Sequence, residues 1–455
     1  MKRHVLIGRL GAEDQGAIAC ARDEVPTEVR LLTPTRRLGH GIGQAPFDLN
    51  RLNVYPTELG LDLAFVAAMV HAADTRISRA SESQDSWTRE IRLAIPVSDP
   101  ARWTSAAPNL ITLLNFLTGD RWTVAFRSRP EAAATLATPV PARLLGPPFD
   151  GIALFSGGMD SLIGAIDDLE AGGTPLLVSH AGEGAVSKSQ DDCFALLKAK
   201  YPGRSFDRLR VWMSFQEGLV EGVASENTTR GRSFLFFALG VFAATGLEGP
   251  FTLKVPENGL IALNVPLDPL RLGALSTRTT HPFYIARWNE LLGALGIAGQ
   301  IANPYWDKTK GEMAQGCTNP ALLKVTAPKS LSCSSPSKGR WNGRPTEHCG
   351  YCLPCLIRRA SLLRAWGPGV DATPYTLNDL TARVLDTRQA EGQQIRSFQL
   401  AAARLKKRPG LARLLIHKPG PLDDDPAKLD DLAGVYSRGL GEVDALLTGV
   451  QTKPS

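Results

Sequence analysis

The sequence predicts an α/β protein, a doubly wound parallel sheet with a zinc knuckle, flanked by an N-terminal α+β domain and a helical C-terminal extension. Three observations lead there. From Gly151 onward short apolar runs alternate with amphipathic stretches, the pattern of parallel strands and the helices that cover them. The first of these runs passes through two glycines directly into a helix, and four cysteines close the same region. At 455 residues the chain also exceeds what one compact core usually holds.

The opening stretch Met1-Lys2-Arg3-His4-Val5-Leu6-Ile7-Gly8 puts three apolar residues before a glycine and Arg9, too few for a secretory core, and reads as a first strand. Residues 1–128 show strand alternation at Ile91, Leu93, Ile95 and Val97 and again at Trp122, Val124 and Phe126. Between these, Leu110, Leu113, Leu114 and Leu117 have helical spacing. Trp87, Trp103 and Trp122 are spaced as core residues rather than as a stacking platform. Residues 129–149 carry prolines at 130, 139, 141, 147 and 148 and read as a linker.

The alternating region, residues 150–366, predicts strands at Ile152 to Phe155, Leu176 to Ser179, Leu209 to Met213 and Phe251 to Val255, with a short element at Gln300 to Asn303. Helices are expected from Ser161, from about Ser187, over Ser233 to Ala244 and over Tyr284 to Leu295. Residues 367–455 form the helical extension, whose last helix places Leu429, Leu432, Tyr436, Leu440, Val443 and Leu447 on one stripe for packing on the core. Asp423 to Asp425 lie ahead of it, where a helix dipole favours negative charge.

The bulk numbers exclude some functions. The most apolar stretch, Phe234 to Leu247, is too short to span a bilayer and is followed by Glu248, so no membrane partner is expected and the expected location is the cytoplasm. A net charge of +6, with no continuous basic block, does not point to nucleic acid, and the basic piece Arg404 to Pro409 reads as a solvated helix end.

Chemistry concentrates in two motifs. In Ser156-Gly157-Gly158-Met159-Asp160-Ser161 the glycines free backbone N–H groups to wrap an anion, and the following helix adds its positive end. Ser156 and Ser161 can donate hydroxyl hydrogen bonds, and Asp160 can hold the Mg2+ that accompanies pyrophosphate. The spacing is neither that of a Walker loop nor of a dinucleotide fingerprint, and the bland alternative is an ordinary turn. The second motif is Cys333 with Cys349-Gly-Tyr-Cys352-Leu-Pro-Cys355. In a reducing compartment four thiolates with no open position describe a structural Zn2+ site, with an iron–sulfur cluster or unligated thiols as alternatives. Cys20, Cys193 and Cys317 stand alone and read as buried small hydrophobes.

Ser-Gly-Gly-x-Asp-Ser after a strand resembles the signature of the PP-loop ATP pyrophosphatases, which cleave ATP between the α and β phosphates to adenylate a substrate oxygen. With the knuckle and Arg358 behind it, residues 150 to 365 resemble the QueC family, the 7-cyano-7-deazaguanine synthases. Arg232-Ser233 and the turn Asp307-Lys308-Thr309-Lys310-Gly311-Glu312 match landmarks of that family. The family's Tyr-Pro-Asp-Cys-Arg tract is missing, and Glu257-Asn258-Gly259 and Ser276-Thr277-Arg278-Thr279-Thr280-His281-Pro282 stand instead. In this the chain looks more like the QueC-like proteins of anti-phage defence operons, notably the QatC type.

The resemblance implies ATP-dependent adenylation of a 7-deazaguanine-type carboxylate, with an amine as acceptor and a partner protein of a defence operon as one candidate for it. Asp160, Lys310 and Arg232 are the implied catalytic residues, with Lys308 and Lys310 able to neutralise charge on the α phosphate or simply to begin a solvated helix. Glu257, Asn258, Arg278, Thr280 and His281 are the substrate-recognition candidates, the last three also readable as a capping turn before Pro282. Other classes open to such a loop are tRNA thiolation or lysidine formation, and a non-catalytic nucleotide-binding scaffold.

Overall fold

The computed structural model describes residues 3–33, 37–83, 85–142, 146–182, 184–228, 230–267, 278–337, 343 and 346–454. Met1, Lys2, Ser276 and Thr277, named above, lie outside them. The chain opens with β1 (Arg3–Leu10), β2 (Glu24–Leu32), α1 (Gln44–Arg51), α2 (Glu58–Arg76), α3 (Arg79–Glu82), β3 (Glu90–Val97), α4 (Pro100–Thr118) and β4 (Arg121–Ser128). The strands form one sheet in the order β2-β1-β3-β4 in which every pairing is parallel. The expected α+β character of this unit is therefore corrected to α/β. The reason is connection length: β1 reaches β2 through a 13-residue loop, Gly11 to Asp23, and the other strands are joined through helices, so none returns by a hairpin.

The second sheet follows: β5 (Gly151–Leu154), α5 (Met159–Glu170), β6 (Pro175–His180), α6 (Gly184–Lys200), β7 (Asp207–Val211), α7 (Arg232–Ala244), β8 (Phe251–Lys254), α8 (Gly259–Leu263), α9 (Pro282–Leu295) and β9 (Gly299–Ala302). Its order is β7-β6-β5-β8-β9, again all parallel. Winding reverses between β5 and β8, and a crevice opens at the carboxyl ends of strands at such a point. After it come α10 (Lys310–Gly316), α11 (Pro320–Thr326) and α12 (Leu353–Trp366). The chain ends with β10 (Leu385–Asp386), α13 (Ala390–Lys407), α14 (Leu411–Leu415), α15 (Leu429–Leu446) and β11 (Thr452–Lys453), β10 and β11 pairing in parallel.

One apolar cluster runs from Leu6 and Leu93 of the first sheet through Phe65 and Val66 of α2 to Leu154, Leu176 and Phe237 of the second unit. α2 explains this continuity: every residue from Gly60 to Thr75 is buried, the signature of a helix with protein on all sides. It packs on α7 while α4 packs on α9. The proline-rich stretch is fastened to the same place, because Arg129 reaches Glu58 and the fully buried Asp62. A second cluster joins α8 and α12 to α13, α14 and α15, so the C-terminal helices close over the second unit with the stripe that includes Leu432, Tyr436, Leu440 and Val443 facing inward. Asp425 precedes a short helical turn at Pro426–Lys428, while Asp430 and Asp431 fill the first turn of α15 itself. Trp103 and Trp122 are core residues. Cys193 and Cys317 are buried, but Cys20 is exposed, a correction that follows from its place in the loop between β1 and β2. Among the described residues no helix is long and apolar enough to cross a membrane.

Three histidines are enclosed at the seams. His71 of α2 meets His180 at the end of β6 edge to face, with ring centroids 5.8 Å apart. Burial, reinforced by neighbouring cationic groups, lowers His71 to about 3 and His180 to about 4, and burial lowers His281 to about 3. Each folded-state value lies below that of the unfolded chain, which takes up protons first as the solution is acidified. Their contribution to stability is thus intact above pH 6.5 and declines below it toward the folded values. Denaturant unfolding should show a loss of about 2 kcal/mol per histidine between pH 7 and 5, and His71→Gln should reduce that slope.

Candidate active site and metal centre

The loop after β5 is held open by its neighbours. Gly157 has φ of +78°, and a Cβ there would lie 2.9 Å from the backbone nitrogen of Gln190, so both conformation and space demand glycine. The Gly157 carbonyl accepts from the Ser189 hydroxyl at 2.7 Å and from the Leu331 N–H at 2.8 Å. Gly158 precedes α5 in an extended conformation without a side-chain cap, which leaves the helix's first N–H groups facing the crevice. The Ser156 and Ser161 hydroxyls lie 3.2 Å apart, and the Met159 N–H reaches the Ser332 hydroxyl at 3.5 Å. Met159 turns its side chain into the core, so it offers the site only backbone.

Asp160, in the first turn of α5, is 5% exposed. Its carboxylate takes the Lys310 ammonium at 2.7 Å and accepts from the Asn258 side-chain amide at 2.7 Å and from the Asn258 N–H at 3.2 Å. Burial raises the Asp160 carboxyl, but the Lys310 charge and hydrogen bonds from Glu257, Lys310 and Asn258 outweigh it and hold the group below its ordinary value. Glu257 goes the other way: burial first, then the adjacent Asp160 charge, push it well above the carboxylate range. Two adjacent carboxyls are thus pushed in opposite directions, Asp160 down and Glu257 up. Glu257 accepts from the Asn258 side-chain amide at 3.4 Å.

These groups surround a cavity of about 220 Å³ lined by Ser156, Gly158, Asp160, Glu257, Lys310 and Ser332, together with apolar neighbours such as Ile261 and Pro354. It lies at the switch between β5 and β8, since Ser156 follows one strand and Pro256-Glu257 the other. A larger cavity of about 430 Å³, between α9, the end of β9 and residues 422–432, holds none of this ionised cluster.

The other candidates are distributed elsewhere. Asn258 is fully buried, caps α8 by accepting from the Ile261 N–H, and organises Asp160 rather than lining the cavity. Arg232 opens α7 against Gly182 beyond β6, its guanidinium 5.6 Å from the Phe236 ring centroid, and is not among the cavity's lining residues. Arg278 donates to the Phe116 carbonyl at 2.6 Å and covers that ring, which ties it to α4. Thr280 is buried at the larger cavity, and His281 caps α9 by accepting from the Phe283 N–H. Thr280 lines the larger cavity, whereas Glu257 lines the smaller one. Lys308 is exposed and pairs with Asp307. Ser332, Ser189 and Gln190 were not singled out by sequence; only the position of Ser332 beside Cys333 offered a signal.

The four cysteine sulfurs of Cys333, Cys349, Cys352 and Cys355 lie within 4.8 Å of one another. Cys333 and Cys352 are 3.8 Å apart and Cys349 and Cys355 3.9 Å. A tetrahedral ion with metal–sulfur bonds of about 2.3 Å has sulfur–sulfur edges of about 3.8 Å, so the cluster fits a metal ion such as zinc. Backbone N–H groups of Cys349, Ser335 and Cys352 point at the sulfurs, at 3.3–3.4 Å, as thiolates require. Cys352 is also the residue from which α12 starts, and the fully buried Arg358 on that helix donates to Ser330 and Thr373. The knuckle, Ser330, Leu331 and the loop after β5 are therefore one hydrogen-bonded assembly.

No protein-family model, curated protein or solved structure matches this chain.

The shared bonding predicts that metal loss is felt at the loop. A strong chelator should release about one metal ion per chain and accelerate amide exchange at least about tenfold at residues 157–161 as well as at the knuckle, measured by hydrogen exchange with mass spectrometry. Exchange confined to the knuckle would contradict the coupling.

Proposed function

We propose that the chain is an ATP-dependent ligase that activates a carboxylate as its adenylate. The observation that supports this best is the juxtaposition, at the winding switch, of an uncapped glycine loop with the buried Asp160–Lys310 pair. N–H groups at the start of α5 and the Ser156 and Ser161 hydroxyls hold phosphate oxygens, as helix N-termini and glycine loops do. The substrate carboxylate attacks the α phosphorus, the bond to the β-phosphate oxygen breaks, and pyrophosphate leaves. An amine then attacks the acyl carbon and AMP departs, leaving an amide.

Lys310 is the cation for this step. Its ammonium rests on Asp160, and exchange of that partner for the α phosphate places positive charge where the transition state develops negative charge. Asp160, released, is the carboxylate that would hold magnesium, which neutralises the pyrophosphate leaving group. The Glu257 carboxyl, pushed upward beside Asp160, opposes the nucleotide less than an ordinary carboxylate would. Zinc in the four-cysteine knuckle is structural, bracing the loop through Leu331 and Ser332.

The resemblance to QueC-like proteins supplies the substrate class, a 7-deazaguanine-type acid, and the setting, an anti-phage defence system in which the acceptor amine belongs to a partner protein. A thiolating reaction is disfavoured because Cys193, on the helix that supports the loop, is buried with its thiol pushed up to about 12, so it offers no thiolate to carry sulfur.

Incubation with ATP, magnesium, 7-carboxy-7-deazaguanine and amine acceptors should release pyrophosphate and give a mass increase on the acceptor rather than a free nitrile. Asp160→Ala and Lys310→Met should each lower kcat by about two to three orders of magnitude in that pyrophosphate assay. Full activity in Asp160→Ala, or no nucleotide uptake by the wild-type chain in calorimetry, would end the proposal.

A further inference from the structure

Lys310 is the first residue of α10, and the residues on either side of it decide where its ammonium goes. Thr309 caps the helix: its hydroxyl oxygen accepts from the Glu312 N–H at 3.0 Å, and the Glu312 carboxylate accepts from the Thr309 N–H at 2.9 Å. Two donors remain. The Gly311 N–H donates to Glu442 at 3.2 Å, and the Thr309 hydroxyl donates to the other oxygen of the same carboxylate. Glu442 comes from α15, more than a hundred residues later, and is 8% exposed.

The fit is tight. A Cβ on Gly311 would lie 2.5 Å from the Arg364 side chain and 2.6 Å from a Glu442 oxygen. Arg364, on the helix that starts at the knuckle, sits 3.3 Å from Glu442 and supplies its counter-charge. The Gly311 N–H and the Arg364 guanidinium approach different oxygens of Glu442 and can only donate, so a carboxylate satisfies both where an amide would turn its NH2 toward one of them.

We infer that Glu442 is a positioning residue for Lys310: α15 grips the residues before and after it, so that the ammonium enters the cavity in one direction. The two attachment points flank Lys310, and the ammonium then spans from the helix start to Asp160 at 2.7 Å. The C-terminal extension is by this account part of the site rather than a cover for it. The catalytic meaning of the inference rests on the adenylation reading, but the positioning itself does not.

The test uses the full chain and two readouts. Acetylation of lysines by sulfo-N-hydroxysuccinimidyl acetate under native conditions, quantified by mass spectrometry, should be about tenfold faster at Lys310 in Glu442→Gln and Thr309→Val than in wild type, with Lys254 unchanged as internal reference. Thr309→Ser, which keeps the hydroxyl, should behave as wild type. In the pyrophosphate assay Glu442→Gln should lower kcat about tenfold with little change in KM for ATP. Wild-type labelling of Lys310 in both Glu442→Gln and Thr309→Val, with or without a lower Tm, overturns the inference. If the wild-type chain releases no pyrophosphate, the adenylation reading fails while the labelling still decides the positioning.

Discussion

The structure turns on one buried ion pair. Asp160 and Lys310 are almost fully enclosed, and an uncompensated charge at either place would be costly, so each must find the other and the hydrogen bonds that complete it. The two arrive from different elements: Asp160 from the first turn of α5, Lys310 from the start of α10, with Asn258, the cap of α8 beyond β8, as the third side. Holding three separate elements at fixed distance requires the winding of the second sheet to place β5 beside β8, and requires α10 to be fixed independently of the sheet. The knuckle and the C-terminal helices meet that second requirement through Arg364 and Glu442.

Much of this was legible in the residues. Apolar runs marked the central strands β5 and β6, because parallel strands covered on both faces carry little polar sequence, and Gly157 announced its loop because only glycine accepts the required φ. The cysteine spacing identified a metal-type cluster for a similar reason, as tetrahedral geometry limits how three thiolates can share one turn. Asp160 and Lys310 were both named, although nothing in the sequence paired them.

What was not legible is chiefly non-local. Arg278, Thr280 and His281 have the donors of a recognition site, but their use is decided by Phe116 and by the start of α9, which lie far away or depend on backbone geometry. The upward shift of the Glu257 carboxyl follows from burial beside a second carboxyl, and burial is not a property of the tripeptide Glu-Asn-Gly. The parallel pairing of the first sheet was missed because the loop between β1 and β2 contains no helix to signal a crossover.

The helix α2 has one more implication. Its whole circumference is covered, partly by the first sheet and partly by α7, so neither sheet owns it and neither could present a water-compatible surface after the other was cut away. The N-terminal third is for that reason not a detachable module. Any attempt to trim the chain to its second sheet would have to repaint the outer face of α7 with polar side chains.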